Sequence, residues 1–118
     1  MKKDFKKFVE KIYNHCSAET CYPKVASDWR EDNKFYGHCA VVSLLIQDCF
    51  GGKILKCNLQ EENISHYYNE IDGKVVDATI TQYNYTPTKT NMQYVERNEI
   101  LNNVNTLKRY ETLKELVK

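Results

Sequence analysis

Residues 36–52 read YGHCAVVSLLIQDCFGG. From position 38 to 50 apolar residues fall on nearly every side of a helix: Ala40, Val41, Val42, Leu44, Leu45, Ile46, Cys49 and Phe50. A helix that is apolar all round is a buried one, so this segment is expected to be the central element of the fold. Gly51-Gly52 ends it, because glycine enters the left-handed region past a helix C-terminus without strain. Cys39 then stands in the first turn, where unpaired N–H groups and the helix dipole favour a thiolate. Gly37 leaves the chain free to turn sharply before it. Cys39, Ser43 and Gln47 follow one another at i, i+4 and i+8 and form the one polar line on this cylinder. Two readings compete. The line faces a cleft, or Ser43 bonds a carbonyl one turn back, Gln47 sits near the surfaced end and Cys39 fills the core.

Working outward, residues 3–15 carry Phe5, Phe8, Val9 and Ile12 at i, i+3, i+4 and i+7, the pattern of an amphipathic helix. Lys2, Lys3, Lys6 and Lys7 form its solvated face. Residues 16–36 show no clear period, contain Pro23 and the only tryptophan, Trp29, and read as a long ordered loop. Long loops in small domains are often functional, although Trp29 also suits a plain loop anchor. On the other side, KILKC (53–57) reads as a strand. ISHYYNEI (64–71) and KVVDATI (74–80) flank Asp72-Gly73, a strong hairpin signal. Residues 81–93 are loop-like around Pro87. The end of the chain, from Val95, reads as two helices, with Asn105 as N-cap of Thr106–Val117. The expected fold is α+β, one domain over 1–118: a buried central helix carrying Cys39 on a small antiparallel sheet, with N- and C-terminal helices packed on it.

A thiol nucleophile needs a base. His38 adjoins Cys39, but neighbouring helix residues point about 100° apart, which makes it a bystander or a cleft wall. His15 carries no mark. His66 is different. A two-residue Asp72-Gly73 turn pairs Ile71 with Lys74, then Tyr68 with Asp77 and His66 with Thr79. His66, Tyr68, Asp77 and Thr79 then share one face, and Ser65, Tyr67, Asn69 and Val76 share the other. His66 and Asp77 become diagonal neighbours within reach of a side-chain hydrogen bond. If the sheet turns its His66 face to the start of the central helix, Cys39, His66 and Asp77 form a nucleophile, base and orienter.

Bulk properties limit the alternatives. The 118 residues carry a formal net charge of +1 with both signs interspersed, which argues against a general nucleic-acid binder. No apolar run follows the N-terminal lysines and no segment approaches a membrane span; a cytoplasmic protein without membrane contact is expected. Five cysteines, at 16, 21, 39, 49 and 57, are an odd number, and a reduced compartment disfavours a disulfide framework. Two pairs at zinc-finger spacing are missing, as is C-x-x-C, so no metal or other cofactor is expected.

The order Cys, His, Asp, with the cysteine opening a helix and the other two on adjacent strands, resembles the transglutaminase-like branch of the papain-like cysteine fold. More closely, GHCAVVSLLIQDCFGGKIL (37–55), SHYYNEIDGKVVDAT (65–79) and NTLKRYETL (105–113) resemble the YunG-like family of small bacterial proteins. The resemblance spans most of residues 29–114. It implies Cys39 as nucleophile, His66 as base and Asp77 as orienter, and it marks Trp29, Gln47, Gln82 and Arg109 as pattern positions without assigned roles. Trp29, His38, Gln47 and Gln82 are the candidates to line a substrate site. The chain departs from the family pattern at His38, where glutamine is usual, and at Tyr68, where tryptophan is expected. The Cys39 backbone N–H remains available as an oxyanion donor.

The expected function is cysteine-dependent acyl transfer, hydrolytic or to an amine, on a small-molecule or peptide acyl substrate that the sequence does not name. A non-catalytic binding or regulatory module on the same fold is the alternative, since nine tyrosines also suit a recognition surface. Redox or metal chemistry by several cysteines is a third.

Overall fold

A computed structural model describes residues 4–118; Lys2 and Lys3, the latter the first residue of the expected 3–15 helix, lie outside the described residues. Helix α1 (Phe5–His15) starts where the Asp4 carboxylate accepts the Lys7 N–H at 2.9 Å, an N-cap that satisfies one orphan donor of the first turn. Its apolar stripe buries Ile12, and Phe5 and Phe8 meet Phe50 with ring centroids 5.3 and 5.7 Å apart. The loop that follows contains a 3₁₀ turn, Pro23–Asp28. It is tied down by Trp29 Nε1–H donating to the Lys34 carbonyl and by Tyr22 N–H donating to that of Gly37.

Helix α2 (Cys39–Phe50) buries Val41 through Ile46 and ends at Gly51, whose φ is +74°. The apolar run alone therefore placed the central helix to within one residue. Four antiparallel strands follow: β1 (Lys53–Leu59), β2 (Ile64–Ile71), β3 (Lys74–Val76) and β4 (Lys89–Val95), in the order β3-β2-β1-β4. Ile71 pairs with Lys74 and Asn69 with Val76, the register the Asp-Gly turn dictates. Two expectations change. The strand read at 74–80 stops at Val76, and 80–82 is a 3₁₀ turn, Ile80–Gln82. Inside the segment read as loop at 81–93, β4 begins at Lys89 and forms the far edge of the sheet.

Helices α3 (Arg97–Leu101) and α4 (Val104–Leu116) close the chain. The N-cap of α4 is Asn103, not Asn105: Asn103 Oδ1 accepts the Thr106 N–H at 3.0 Å, and the Asn105 side chain accepts from Arg109 Nε–H instead. The main core joins α1, α2 and α4 to Ile54 and Ile71 of the sheet. A smaller one, Leu55, Cys57, Leu59 and Tyr68 with Tyr83 against them, lies on the other face.

Candidate functional site

Strand alternation separates β2 into two rows. Tyr67 and Ile71 join the core around α2, and Asn69 Nδ2–H donates to the Ser43 carbonyl of that helix at 3.0 Å. His66 and Tyr68 point to the opposite face, where their rings stack with centroids 5.9 Å apart. The body of α2 thus packs on the row without His66, contrary to the packing a triad was expected to need. The His66 part of β2 is reached another way. β3 pairs no further than Asn69, so among the described residues the strand edge beside His66 has no strand partner on that side. Cys39, at the very start of α2, interacts with His66 there.

His66 is fully buried. Its Nε2 lies 2.9 Å from both carboxylate oxygens of Asp77. A carboxylate only accepts, which assigns a proton to Nε2 and leaves Nδ1 as the basic position of the neutral ring. Nδ1 is buried and has no hydrogen-bond partner among the described residues; Cys39 acts on the ring from nearby. Burial pulls the imidazolium down. The Asp77 hydrogen bond, and then the nearby Cys39, outweigh that and raise the pKa to about 9. Asp77 sits just past the end of β3, its side chain 8% exposed, and also receives Lys89 Nζ at 2.8 Å. The same ammonium lies 4.2 Å from the centroid of the Tyr68 ring. The Asp77 carboxylate is therefore shared between two cations.

Cys39 is half-buried and opens on a cavity of about 570 Å³, a size typical of small-molecule sites. Ala40, Ser65, Tyr67 and Gln82 line it near the thiol. Tyr22 and Tyr36 of the 16–36 loop, Tyr83, and Ile100, Thr106 and Arg109 of α3 and α4 form further walls. Gln82 has a mechanical role as well. Its Oε1 accepts the Gly37 N–H at 3.2 Å and its Nε2–H donates to the Thr79 carbonyl at 3.0 Å, joining the segment after Asp77 to the turn before Cys39.

The other expected lining residues lie elsewhere. His38 is fully buried as the N-cap residue of α2. Its Nδ1 bonds the Tyr36 carbonyl at 2.8 Å and its Nε2 bonds Thr20 Oγ1 at 2.7 Å. Burial, with Arg109 nearby, holds its pKa down at about 4. It is a neutral internal strut and neither a cleft wall nor an oxyanion donor. Gln47 belongs to the opposite end of α2, bonded to the Gly52 carbonyl and to Arg97 Nη1. Trp29 anchors its loop through Lys34 and is not part of the cavity wall. Ser43 Oγ–H donates to the Cys39 carbonyl at 2.7 Å, so the polar line on α2 is the local back-bonding reading for Ser43, with only Cys39 facing the cavity. No disulfide joins the five cysteines, and among the described residues no cluster of three or more His, Cys, Asp or Glu could hold a metal. No helix among them is long and apolar enough to cross a membrane.

Residues 3–118 match the family described as YunG protein. A curated relative, "Uncharacterized protein YunG" of Bacillus subtilis (strain 168), is 36% identical over 80 residues, covering 63% of this chain and 68% of its own. No solved structure matches the chain.

Proposed function

The chain belongs to the YunG protein family, and from the geometry around its helix-start cysteine we propose that it is a cysteine-dependent acyl-transfer enzyme with Cys39 as nucleophile, His66 as base and Asp77 as orienter. One observation carries the reading: a buried imidazole with a carboxylate on Nε2, its Nδ1 unbonded, and the sulfur of a cavity-lining cysteine beside it. Burying an imidazole nitrogen without a partner is costly, and this one is kept where a thiol can use it. Papain-like and transglutaminase-like enzymes are built on the same order, a cysteine at a helix start followed by histidine and aspartate on an antiparallel sheet. We extend that architecture to this family as part of the proposal.

The steps follow from the assignments. Cys39 Sγ passes its proton to His66 Nδ1 and attacks the acyl carbon. The carbonyl oxygen takes up the negative charge beside the first-turn N–H of Cys39. The tetrahedral intermediate collapses to a thioester, and His66 returns the proton to the leaving amine or alcohol. Water or an acceptor amine, deprotonated by His66, then releases the acyl group and regenerates the thiol. Asp77 keeps the ring oriented and stabilises the imidazolium.

The test is alkylation with iodoacetamide at pH 7, read site by site by mass spectrometry, together with turnover of activated acyl esters. Cys39 is expected to label at least about tenfold faster than Cys49, which is also half-buried. His66→Ala should remove that advantage, and Cys39→Ser should abolish turnover. Equal labelling of Cys39 and Cys49, unchanged by His66→Ala, refutes the assignment.

A further inference from the structure

We propose that the cavity accepts an acyl substrate bearing a carboxylate, and that Arg109 is the residue that binds it. The inference rests on the reading of Cys39 as a nucleophile and adds the substrate class. Arg109 is 6% exposed and lines the same cavity as Cys39. Its guanidinium donates from Nε to Asn105 Oδ1 at 2.7 Å, from Nη1 to the Thr20 carbonyl at 3.2 Å and from Nη2 to Thr106 Oγ1 at 3.3 Å. All three acceptors are neutral. A guanidinium has five N–H groups, so two remain. Tyr22 covers one face of the group at 6.0 Å, and Tyr22 and Thr106 both border the cavity. The charged head is therefore held at the cavity wall.

A buried cation without a counter-charge is costly, and among the described residues no carboxylate pairs with Arg109. Cys21, whose charge would act on it, is no substitute: burial pushes that thiol up to about 11, so it is uncharged at neutral pH. A carboxylate on the substrate supplies the missing counter-charge and matches the planar fork of arginine. Two acidic residues, Glu62 and Glu99, border the cavity as well. Both are exposed, and Glu62 is engaged by the Tyr85 hydroxyl. Across solvent their repulsion of an anion is several-fold weaker than the pull of a buried cation.

The experiment compares iodoacetate with iodoacetamide, two reagents of similar size that differ in charge; in each, the thiolate displaces iodide. For wild type, the iodoacetate-to-iodoacetamide rate ratio at Cys39 is expected to exceed that of N-acetylcysteine by about tenfold, the fold-change of one charge-assisted hydrogen bond. Succinate should slow iodoacetamide labelling of Cys39, whereas succinamide should not. Arg109→Met should bring the ratio back to that of N-acetylcysteine, and Arg109→Lys should keep part of the preference. Should either variant unfold, the wild-type ratio and the succinate protection decide alone. A rapidly labelled Cys39 with no preference for the anion overturns this inference and leaves the nucleophile standing. An equal loss of both rates in a folded Arg109→Met also overturns it, because Arg109 then acts on the sulfur and not on the ligand. An unreactive Cys39 overturns the nucleophile and this inference together.

Discussion

Asp77 decides the charge state of His66. The imidazole is fully buried, and burial alone favours the neutral ring; the carboxylate on Nε2 and the nearby Cys39 reverse that and lift the pKa to about 9. Asp77→Asn keeps the shape of the partner and removes its charge. The His66 pKa is then expected to fall below 9, followed by NMR titration of the ring, and Cys39 alkylation at pH 7 to slow by roughly tenfold or more. A His66 titration unchanged in Asp77→Asn refutes the assigned role of the carboxylate. This pair was legible in the sequence because Asp72-Gly73 sets the register as far as Asn69–Val76 and so brings the next residue, Asp77, within reach of His66; the expected ladder pairs Tyr68–Asp77 and His66–Thr79 do not form, and Asp77 meets His66 from just past the strand end. Arg109 was visible only as a pattern position. Its role depends on α4 packing against the 16–36 loop, a long-range contact with no period or turn to announce it. The same loop decides His38, whose adjacency to Cys39 suggested a cleft wall until Thr20 and the Tyr36 carbonyl enclosed it.

At the level of elements, the start of α2 is held by a turn that only glycine fits. Gly37 has φ +72°, and a Cβ there would stand 2.5 Å from Cys21 Sγ and 3.0 Å from Val25 Cγ2. Gly73, in the hairpin, has a similar φ of +77° but nothing within 4 Å of a Cβ. Gly73→Ala is therefore expected to cost about 1 kcal/mol, the backbone term alone. Gly37→Ala should cost about 2–3 kcal/mol more by urea denaturation, as the site must shift to admit the methyl, and it should slow Cys39 labelling, which Gly73→Ala leaves unchanged. The cap of α4 gives a second measurement. Asn103→Ala is expected to destabilise by about 1 kcal/mol, a cost that helix propensity does not account for at this non-helical cap position. The elements themselves were unevenly legible. The apolar run of α2 and the Asp-Gly hairpin signal their own bounds. β4 does not: Lys89, Thr90, Asn91 and Gln93 give no alternation, because it is an edge strand with little to bury, and Asn91 at φ +54° stands beside a break in its register with β1. The 74–80 strand ends early because Asp77 leaves the ladder to bond His66 and Lys89.

For the whole molecule, two buried histidines with opposite shifts give stability a calculable pH dependence. The folded pKa of His66, about 9, lies above its ordinary 6.5, so between those values the native state binds more protons than the unfolded chain. Its contribution is complete below pH 6.5 and is lost as pH rises through 9. The folded pKa of His38, about 4, lies below 6.5, so there the unfolded chain binds more protons. Its contribution is complete above pH 6.5 and is lost as pH falls toward 4. Each limb has a slope of up to about 1.4 kcal/mol per pH unit. Stability is expected to peak near pH 6.5, measured as the urea midpoint from pH 4 to 9. His66→Gln should flatten the alkaline limb up to pH 9, above which the buried Cys16 and Cys21 thiols, pushed up to about 12 and 11, take over. His38→Gln should flatten the acid limb and leave the alkaline one intact, because its ring is bonded to Thr20 and the Tyr36 carbonyl and not to Asp77 or Cys39. A wild-type midpoint that stays level from pH 6.5 to 9 means that His66 is neutral in the folded state. The proton then moves from Cys39 to Nδ1 only as the sulfur attacks.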